Sequence, residues 1–157
     1  MSKPESFMKE AIRLSFDTMR KNTGGPFGAV VVKDGQIIAR GFNKVVSSND
    51  PTAHAEIVAI REACKVLGGF QLTGCEIYTS CEPCPMCMAA IYWARPDRVY
   101  YANSKDDAAG IGFDDNFIYE EIILPFDKRK IPIVRILENE ALEAFHEWSK
   151  KADKIPY

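Results

Sequence analysis

The sequence has no long hydrophobic run and little excess charge of either sign. Apolar stretches such as Met88 to Ala94 are far shorter than the about 20 residues that a helix needs to cross a bilayer. Lys3, Glu5 and Lys9 interrupt the N-terminal stretch, which predicts no secretory signal. The net charge of −2 argues against a chain built mainly to bind nucleic acid phosphates. We therefore expect a cytoplasmic protein with no membrane contact and no nucleic acid partner.

Internal repeats, low-complexity tracts and Gly/Ser linkers are also missing. A length of 157 residues with 46% hydrophobic side chains predicts one domain with a substantial core, spanning residues 1–157. The five cysteines are odd in number, and three of them crowd together as Cys81, Cys84 and Cys87. A disulfide framework would spread them along the chain, so this crowding favours metal or redox chemistry.

Hydrophobic spacing in the first half predicts an amphipathic helix followed by a hairpin and a second helix. The opening helix spans about Ser6–Arg20. Asp34-Gly35 between the β-rich runs Phe27–Lys33 and Gln36–Gly41 indicates a two-residue hairpin. The second helix runs from a cap at Asp50 through about Leu67.

The second half predicts a strand–helix–strand unit and a less regular tail. Cys75–Ser80, Cys84–Ala94 and Asp97–Ala102 form the unit, which implies a parallel crossover in a mixed α/β sheet. In the tail, Ile131–Leu137 is a candidate strand and Glu140–Lys151 a candidate helix. The stretch from Asn103 to Pro125 has little clean period and is a candidate functional loop.

Two short motifs carry residues that suit metal chemistry. Cys84 and Cys87 are three apart at a helix start, so both thiolates can face one point, and the helix N-terminus favours their anionic form. With the imidazole of His54 they make a ligand set suited to Zn²⁺, and three protein ligands leave a fourth position for water. Glu56 can reach that position if His54 and Glu56 stand at a helix end.

Other interpretations of the same cysteines stay open at this point. A C-x-x-C pair alone also serves in thiol redox chemistry or in structural zinc knuckles. A structural site of four ligands would add Cys81 to His54, Cys84 and Cys87. We disfavour it because Cys81 ends a strand before the helix-starting prolines, and because such a site has no use for Glu56.

The chain resembles the cytidine deaminase-like zinc deaminases, and within them the small bacterial guanine deaminases. The H-x-E motif at His54–Glu56 and the P-C-x-x-C motif at Pro83–Cys87 are the signature of zinc nucleobase deaminases. The resemblance also covers GGPFGAVVVKDG at residues 24–35 and GFDDNFIYEEI at residues 112–122. It therefore runs almost from end to end.

This resemblance implies a fold, an assembly and a reaction. The fold is a three-layer α-β-α sandwich around a mixed five-stranded sheet. The assembly is a homodimer that exchanges its C-terminal segment, about residues 125–157, so that the segment completes the neighbour's active site. The reaction is zinc-dependent conversion of guanine and water to xanthine and ammonia, with one zinc per chain held by His54, Cys84 and Cys87 and with Glu56 as proton shuttle.

The resemblance and the chemistry of guanine together suggest residues that contact the base. Asp115 is the expected second acid, which protonates the departing amine at C2, and Asp114 is the alternative. Asn43 can offer a donor and an acceptor to the purine edge. The remaining expected contacts are Phe27, Ala55, Trp93 and Tyr157.

Three competing functions share part of this pattern. A tRNA adenosine deaminase or a free cytosine or nucleoside deaminase would use the same zinc ligands. The tRNA enzyme would need basic clusters, whereas the tail from Glu138 to Lys154 mixes acids and bases. A non-catalytic zinc-binding interaction module is the alternative from another class, and the presence of Glu56 argues against it.

Overall fold

The computed structural model describes residues 3–156, so Tyr157, an expected substrate contact, lies outside the described residues. The strands are β1 (Gly28–Lys33), β2 (Gln36–Phe42), β3 (Cys75–Cys81) and β4 (Arg98–Asn103). The helices are α1 (Lys3–Arg20), α2 (Val45–Ser48), α3 (Ala55–Leu67), α4 (Pro85–Ala94), α5 (Lys105–Gly110), α6 (Asn116–Ile122) and α7 (Glu138–Lys150). A 3₁₀ turn occupies Phe126–Lys128.

The four strands form one mixed sheet in the order β2-β1-β3-β4. Strand β1 is antiparallel to both β2 and β3, while β3 and β4 are parallel and joined through α4. Asp34 (φ 50°) and Gly35 (φ 72°) both have positive φ, as a type I′ hairpin turn requires. The predicted hairpin, parallel crossover and mixed sheet are thus confirmed.

Alternating side chains of β1 serve two separate cores. Val30 and Val32 pack with Leu14 of α1 on one face of the sheet. Ala29 and Val31 pack on the other face with side chains of α3 and α4. Helices therefore cover both faces, which confirms the three-layer arrangement.

Helix α3 lies unusually close to the sheet at Gly41 of β2. A Cβ atom at this position would come within 2.1 Å of the Ala55 carbonyl oxygen and 2.5 Å of the Ala59 nitrogen. The start of α3, where His54 and Glu56 lie, is thus positioned by backbone packed directly on backbone.

The sheet has four strands among residues 3–156, so the expectation of five is wrong for this structure. The predicted strand at Ile131–Leu137 is irregular, and its side chains are exposed. Strand propensity alone does not make a strand, because the backbone groups need a neighbouring strand to pair with.

Helix α3 begins at Ala55 rather than just after the expected cap at Asp50. The Asp50 carboxylate instead accepts hydrogen bonds from the backbone N–H and the hydroxyl of Thr52, which closes a turn before the helix. The stretch from Asn103 to Pro125 is also more regular than predicted, since it contains α5 and α6. Ser104 and Asp107 form a capping box at the start of α5.

The chain forms two compact units, one ending at Asn116 and the other beginning at Phe117. All the described residues that we expected at the active site belong to the first unit. Within residues 3–156, no helix combines the length and the apolar character that a membrane crossing demands.

Candidate active site

The starts of two helices supply the four residues at the centre of the candidate site. His54 occupies the N-cap position of α3 and Cys84 that of α4, each with extended backbone (ψ 157° and 167°). Pro85 occupies the first position of α4, where its fixed φ suits a helix start. Glu56 and Cys87 follow in the first turns, so each helix start brings two functional side chains to one place.

The three expected ligands have the geometry of a zinc site. The Sγ atoms of Cys84 and Cys87 each lie 3.5 Å from Nδ1 of His54. Tetrahedral zinc with ordinary Zn–S and Zn–N bonds would hold sulfur and nitrogen about 3.5 Å apart. The donor set of one imidazole and two thiols, all within 4.8 Å of one another, fits one zinc ion.

The two thiols share their protons unequally. The interaction with the neighbouring Cys87 side chain is the largest cause that lowers the pKa of Cys84, to about 4. The same interaction, together with burial, raises the pKa of Cys87. The pKa of His54 is raised mainly by its hydrogen bond with Cys84. One thiolate is therefore already favoured, and a bound cation would displace the remaining thiol proton.

Cys81 lies apart from this group. Its thiol donates to the carbonyl oxygen of Ser104 at 3.6 Å. Burial raises the pKa of Cys81 to about 11, and its sulfur is not among the ligand atoms that lie within 4.8 Å of one another. The four-ligand structural site is therefore not supported by the geometry.

Glu56 is buried beside the ligands, with only 6% of its surface exposed. Its Oε1 accepts a hydrogen bond of 3.2 Å from the Thr79 hydroxyl, and its Oε2 lies 3.5 Å from Sγ of Cys87. Burial raises the pKa of Glu56, as it does for carboxyl groups that carry protons in catalysis.

The adjacent acids Asp114 and Asp115 differ in their surroundings. Asp114 is exposed and accepts a hydrogen bond from the backbone N–H of Asn116 at 2.9 Å. Asp115 is half-buried, and burial followed by the charge of Cys84 raises its pKa. The charge of Asp115 also contributes to the raised pKa of His54.

Asn43 is buried just after β2, and its side chain hydrogen-bonds to two separate backbone segments. Its Oδ1 accepts hydrogen bonds from the N–H groups of Gly25 and Val45. Both lone pairs of that oxygen are thus occupied, which leaves the NH₂ group for a ligand. The contact of Asn43 with a base stays a prediction, with its NH₂ group as the donor that it could offer.

The remaining expected contacts have different surroundings. Phe27 is half-buried and packs edge-to-face on Phe113, with ring centroids 5.0 Å apart. Ala55 is fully buried at the first position of α3, where backbone N–H groups lack an acceptor within the helix. Trp93 is 64% exposed on α4, and its role stays a prediction.

Residues 1–103 match the family described as the cytidine and deoxycytidylate deaminase zinc-binding region. The chain is a member of this zinc deaminase family. It is 56% identical over 153 residues to the guanine deaminase of Bacillus subtilis strain 168, covering 98% of each chain. A crystal structure of guanine deaminase from Bacillus subtilis superposes with a TM-score of 0.95, again with 56% identity and 98% coverage of both chains. The tRNA-specific adenosine deaminase of Bacillus subtilis is 35% identical and covers 98% of this chain and 95% of its own.

Two residues of this zinc deaminase were missed by the sequence reasoning. Thr79 contacts Glu56, and Phe113 contacts Phe27. A signal for Thr79 was present, because its hydroxyl stands on a strand face whose other members are apolar. Phe113 lies within the GFDDNFIYEEI segment that carries the family resemblance, but no local pattern indicated its contact with Phe27.

Proposed function

We propose that the chain hydrolyses guanine to xanthine and ammonia. The observation that carries this conclusion is 56% identity to a guanine deaminase over almost the whole of both chains. The described geometry supports it, because a buried carboxyl group adjoins a His/Cys/Cys ligand set. Zinc held by these ligands would lower the pKa of a water molecule from about 15.7 to about 7 and so supply hydroxide at neutral pH.

Glu56 carries the proton that the addition of water releases. Its carboxylate takes the proton from the water that attacks C2 of guanine and passes it to ring N3. This side chain is suited to both steps, since its raised pKa favours proton uptake and it stands beside the metal ligands.

Asp115 recognises the base and completes the reaction. Guanine presents N1–H and the 2-amino group side by side, and an ionised carboxylate can accept from both. The second proton of the attacking water, which remains on the hydroxyl group at C2, passes to Asp115. Asp115 delivers this proton to the amine, the C2–N bond breaks, and ammonia departs as C2 becomes a carbonyl carbon. Its position near His54 and Cys84 supports this role, whereas Asp114 is engaged with backbone.

Asn43 and Phe27 orient the ring. The free NH₂ group of Asn43 requires an acceptor on the purine edge, and guanine offers acceptors at O6 and at ring nitrogens. The Phe27–Phe113 pair supplies an aromatic wall. The backbone N–H of Ala55 is a further donor at the start of α3.

The protein also acts as a homodimer in this proposal, and the dimer exchanges the C-terminal segment. Strand β4 ends the sheet without a neighbour on its outer side in the described residues, and such an edge pairs readily with another chain. In the second unit, Ile131–Leu137 and the apolar side chains Leu142, Phe145 and Trp148 of α7 are all exposed. A second copy is the partner that would cover both.

We place this enzyme in the cytoplasm. All five cysteines are free thiols, as expected in a reducing compartment.

Ammonia release from a panel of substrates tests the function. The panel contains guanine, guanosine, adenine, cytosine, cytidine and a tRNA anticodon hairpin, each incubated with the zinc-loaded protein. We expect turnover of guanine with xanthine as product. Turnover of the tRNA hairpin and not of guanine would overturn the proposal in favour of adenosine deamination.

A further inference from the structure

Thr79 places a hydroxyl group on an otherwise apolar face of β3. Its neighbours on that face, Cys75 and Ile77, belong to the core formed with α3 and α4. Thr79 itself is only 1% exposed. Valine has the same shape and suits a buried strand better, so the hydroxyl needs a reason beyond packing.

The hydroxyl has a partner that explains it. Oγ1 of Thr79 donates to Oε1 of Glu56 at 3.2 Å, and the contact spans 23 positions of sequence from β3 to the first turn of α3. The other oxygen of Glu56, Oε2, lies 3.5 Å from the Cys87 thiol. A Cys87 thiolate bound to a metal cannot donate a hydrogen bond. Among the described side chains that hydrogen-bond to Glu56, Thr79 alone then remains a donor.

We propose that Thr79 is a positioning residue for the proton shuttle, an inference that rests on the proposed function. Its hydroxyl fixes Oε1 and thereby turns Oε2 toward the metal ligands, where the attacking water must lose its proton. Glutamate has three rotatable side-chain bonds, and its terminal torsion is broad, so one anchored oxygen sets the direction of the other. Thr79 does not touch the base in this scheme, and its loss should affect kcat rather than KM.

Thr79→Val tests the proposal, because it removes the hydroxyl and keeps the shape. We expect kcat for guanine to fall by at least about tenfold, while KM and zinc content stay unchanged. This loss is part of the ~10²–10⁴-fold rate enhancement that acid–base catalysis typically contributes. Thr79→Ser keeps the hydroxyl and should restore most of kcat. Thr18→Val is the matched control, since Thr18 is a buried threonine of α1 whose hydroxyl donates to the Leu14 carbonyl. Its kcat should equal that of the wild type.

Crystal structures of the zinc-loaded wild type and both Thr79 variants supply a readout other than activity. The Glu56 carboxylate should rotate in Thr79→Val and keep its wild-type position in Thr79→Ser. An unchanged kcat in Thr79→Val would overturn the proposal, as would an equal loss in Thr79→Ser, which would indicate packing. If the wild type fails to turn over guanine, the proposed function fails instead, and the Glu56 position in these structures still decides the role of Thr79.

Discussion

At the scale of single residues, three carboxyl groups that the sequence suggests for the active site differ in their degree of burial. Glu56 is buried, Asp115 is half-buried and Asp114 is exposed. The pKa values of Glu56 and Asp115 are both raised, with burial as the largest cause. A raised pKa favours uptake of a proton by a carboxyl group, as both proton transfers in the proposed hydrolysis of guanine require.

Glu56→Gln keeps the size of the side chain and removes its ability to take a proton. We expect turnover of guanine to fall by at least ~10²–10⁴-fold while zinc content is unchanged. Glu62→Gln on the same helix is the control and should retain full activity, because Glu62 pairs with Lys65 away from the ligands. Near-normal turnover in Glu56→Gln would refute the shuttle.

The two neighbouring aspartates should respond differently to amide substitution. Asp115→Asn should abolish most guanine turnover, because the amide presents NH₂ to a guanine donor and has no acid proton to give. A mismatch of this kind, which leaves a buried polar group without a partner, can lower kcat/KM by a factor of ~10⁴–10⁵. Asp114→Asn should be mild, since an asparagine oxygen can still accept from the Asn116 N–H. Steady-state rates of both variants, with zinc content as control, decide the assignment, and the reverse pattern would exchange the two roles.

Substitution of the three clustered cysteines should affect the zinc content of the protein differently. Cys84→Ala and Cys87→Ala each remove a ligand, so zinc per chain measured by mass spectrometry should fall toward zero. Cys81→Ala removes a thiol that bonds to the Ser104 carbonyl and should keep its zinc. Loss of zinc in Cys81→Ala alone would contradict the ligand set.

At the scale of elements, an ion-pair network ties α1 to β2. Glu10 of α1 contacts Arg13 at 2.8 Å and Arg40 of β2 at 2.7 Å. The hydrogen bond with Arg13 is the largest cause that lowers the pKa of Glu10, from 4.5 to about 2. A lowered pKa in the folded state means that the carboxylate stabilises the fold above pH 4.5 and that this contribution is lost as the pH falls toward 2.

Glu10→Gln should therefore destabilise the protein in a pH-dependent way. At pH 7 we expect a loss of up to about 1 kcal/mol in the free energy of unfolding, the usual size for partly exposed pairs. The difference from wild type should shrink as pH falls from 4.5 toward 2. Urea unfolding across this range measures it, with Glu143→Gln on exposed α7 as control. A difference independent of pH would indicate lost packing rather than lost charge.

Local sequence signals predicted those elements whose cause is local. The hairpin followed from Asp34-Gly35, whose two residues adopt positive φ, and the predicted end of α3 at about Leu67 is also confirmed. The predicted start of α3 was wrong because Asp50 and Pro51 resemble the start of a helix. The Asp50 carboxylate instead accepts a hydrogen bond from the backbone N–H of Thr52. A strand at Ile131–Leu137 depends on a neighbouring strand, which no local pattern specifies.

The residues of the candidate site also differ in whether local sequence patterns could predict them. The zinc ligands could be predicted because their motif spacing reflects two helix starts. The contact between Thr79 and Glu56 could not, since it depends on how closely α3 approaches the sheet at Gly41.

At the scale of the whole molecule, the proposed dimer would cover the outer edge of β4 and the exposed apolar side chains of the second unit. Deleting residues 155–157 should leave zinc content and thermal unfolding intact while raising KM or abolishing activity. Light scattering should report a dimer for the full chain.

Mixing two inactive variants separates exchange from a segment that serves its own chain. One variant lacks residues 155–157, and the other carries Glu56→Gln with its C-terminal segment intact. If the segment reaches the partner's site, random reassociation should restore about a quarter of the wild-type activity, since half of the dimers gain one complete site. A mixture as inactive as its components would contradict exchange.

Strand β4 ends at Asn103, and the region shared by the zinc deaminase family ends there too. The ligands and Glu56 precede this point, while Asp114 and Asp115 follow it. The metal ligands and the proposed proton shuttle are therefore encoded within the stretch that the family shares, and the proposed second acid is encoded after it. A duplicated copy could therefore accumulate changes in its last third and accept a different base, provided that this stretch kept an acid able to protonate the departing amine.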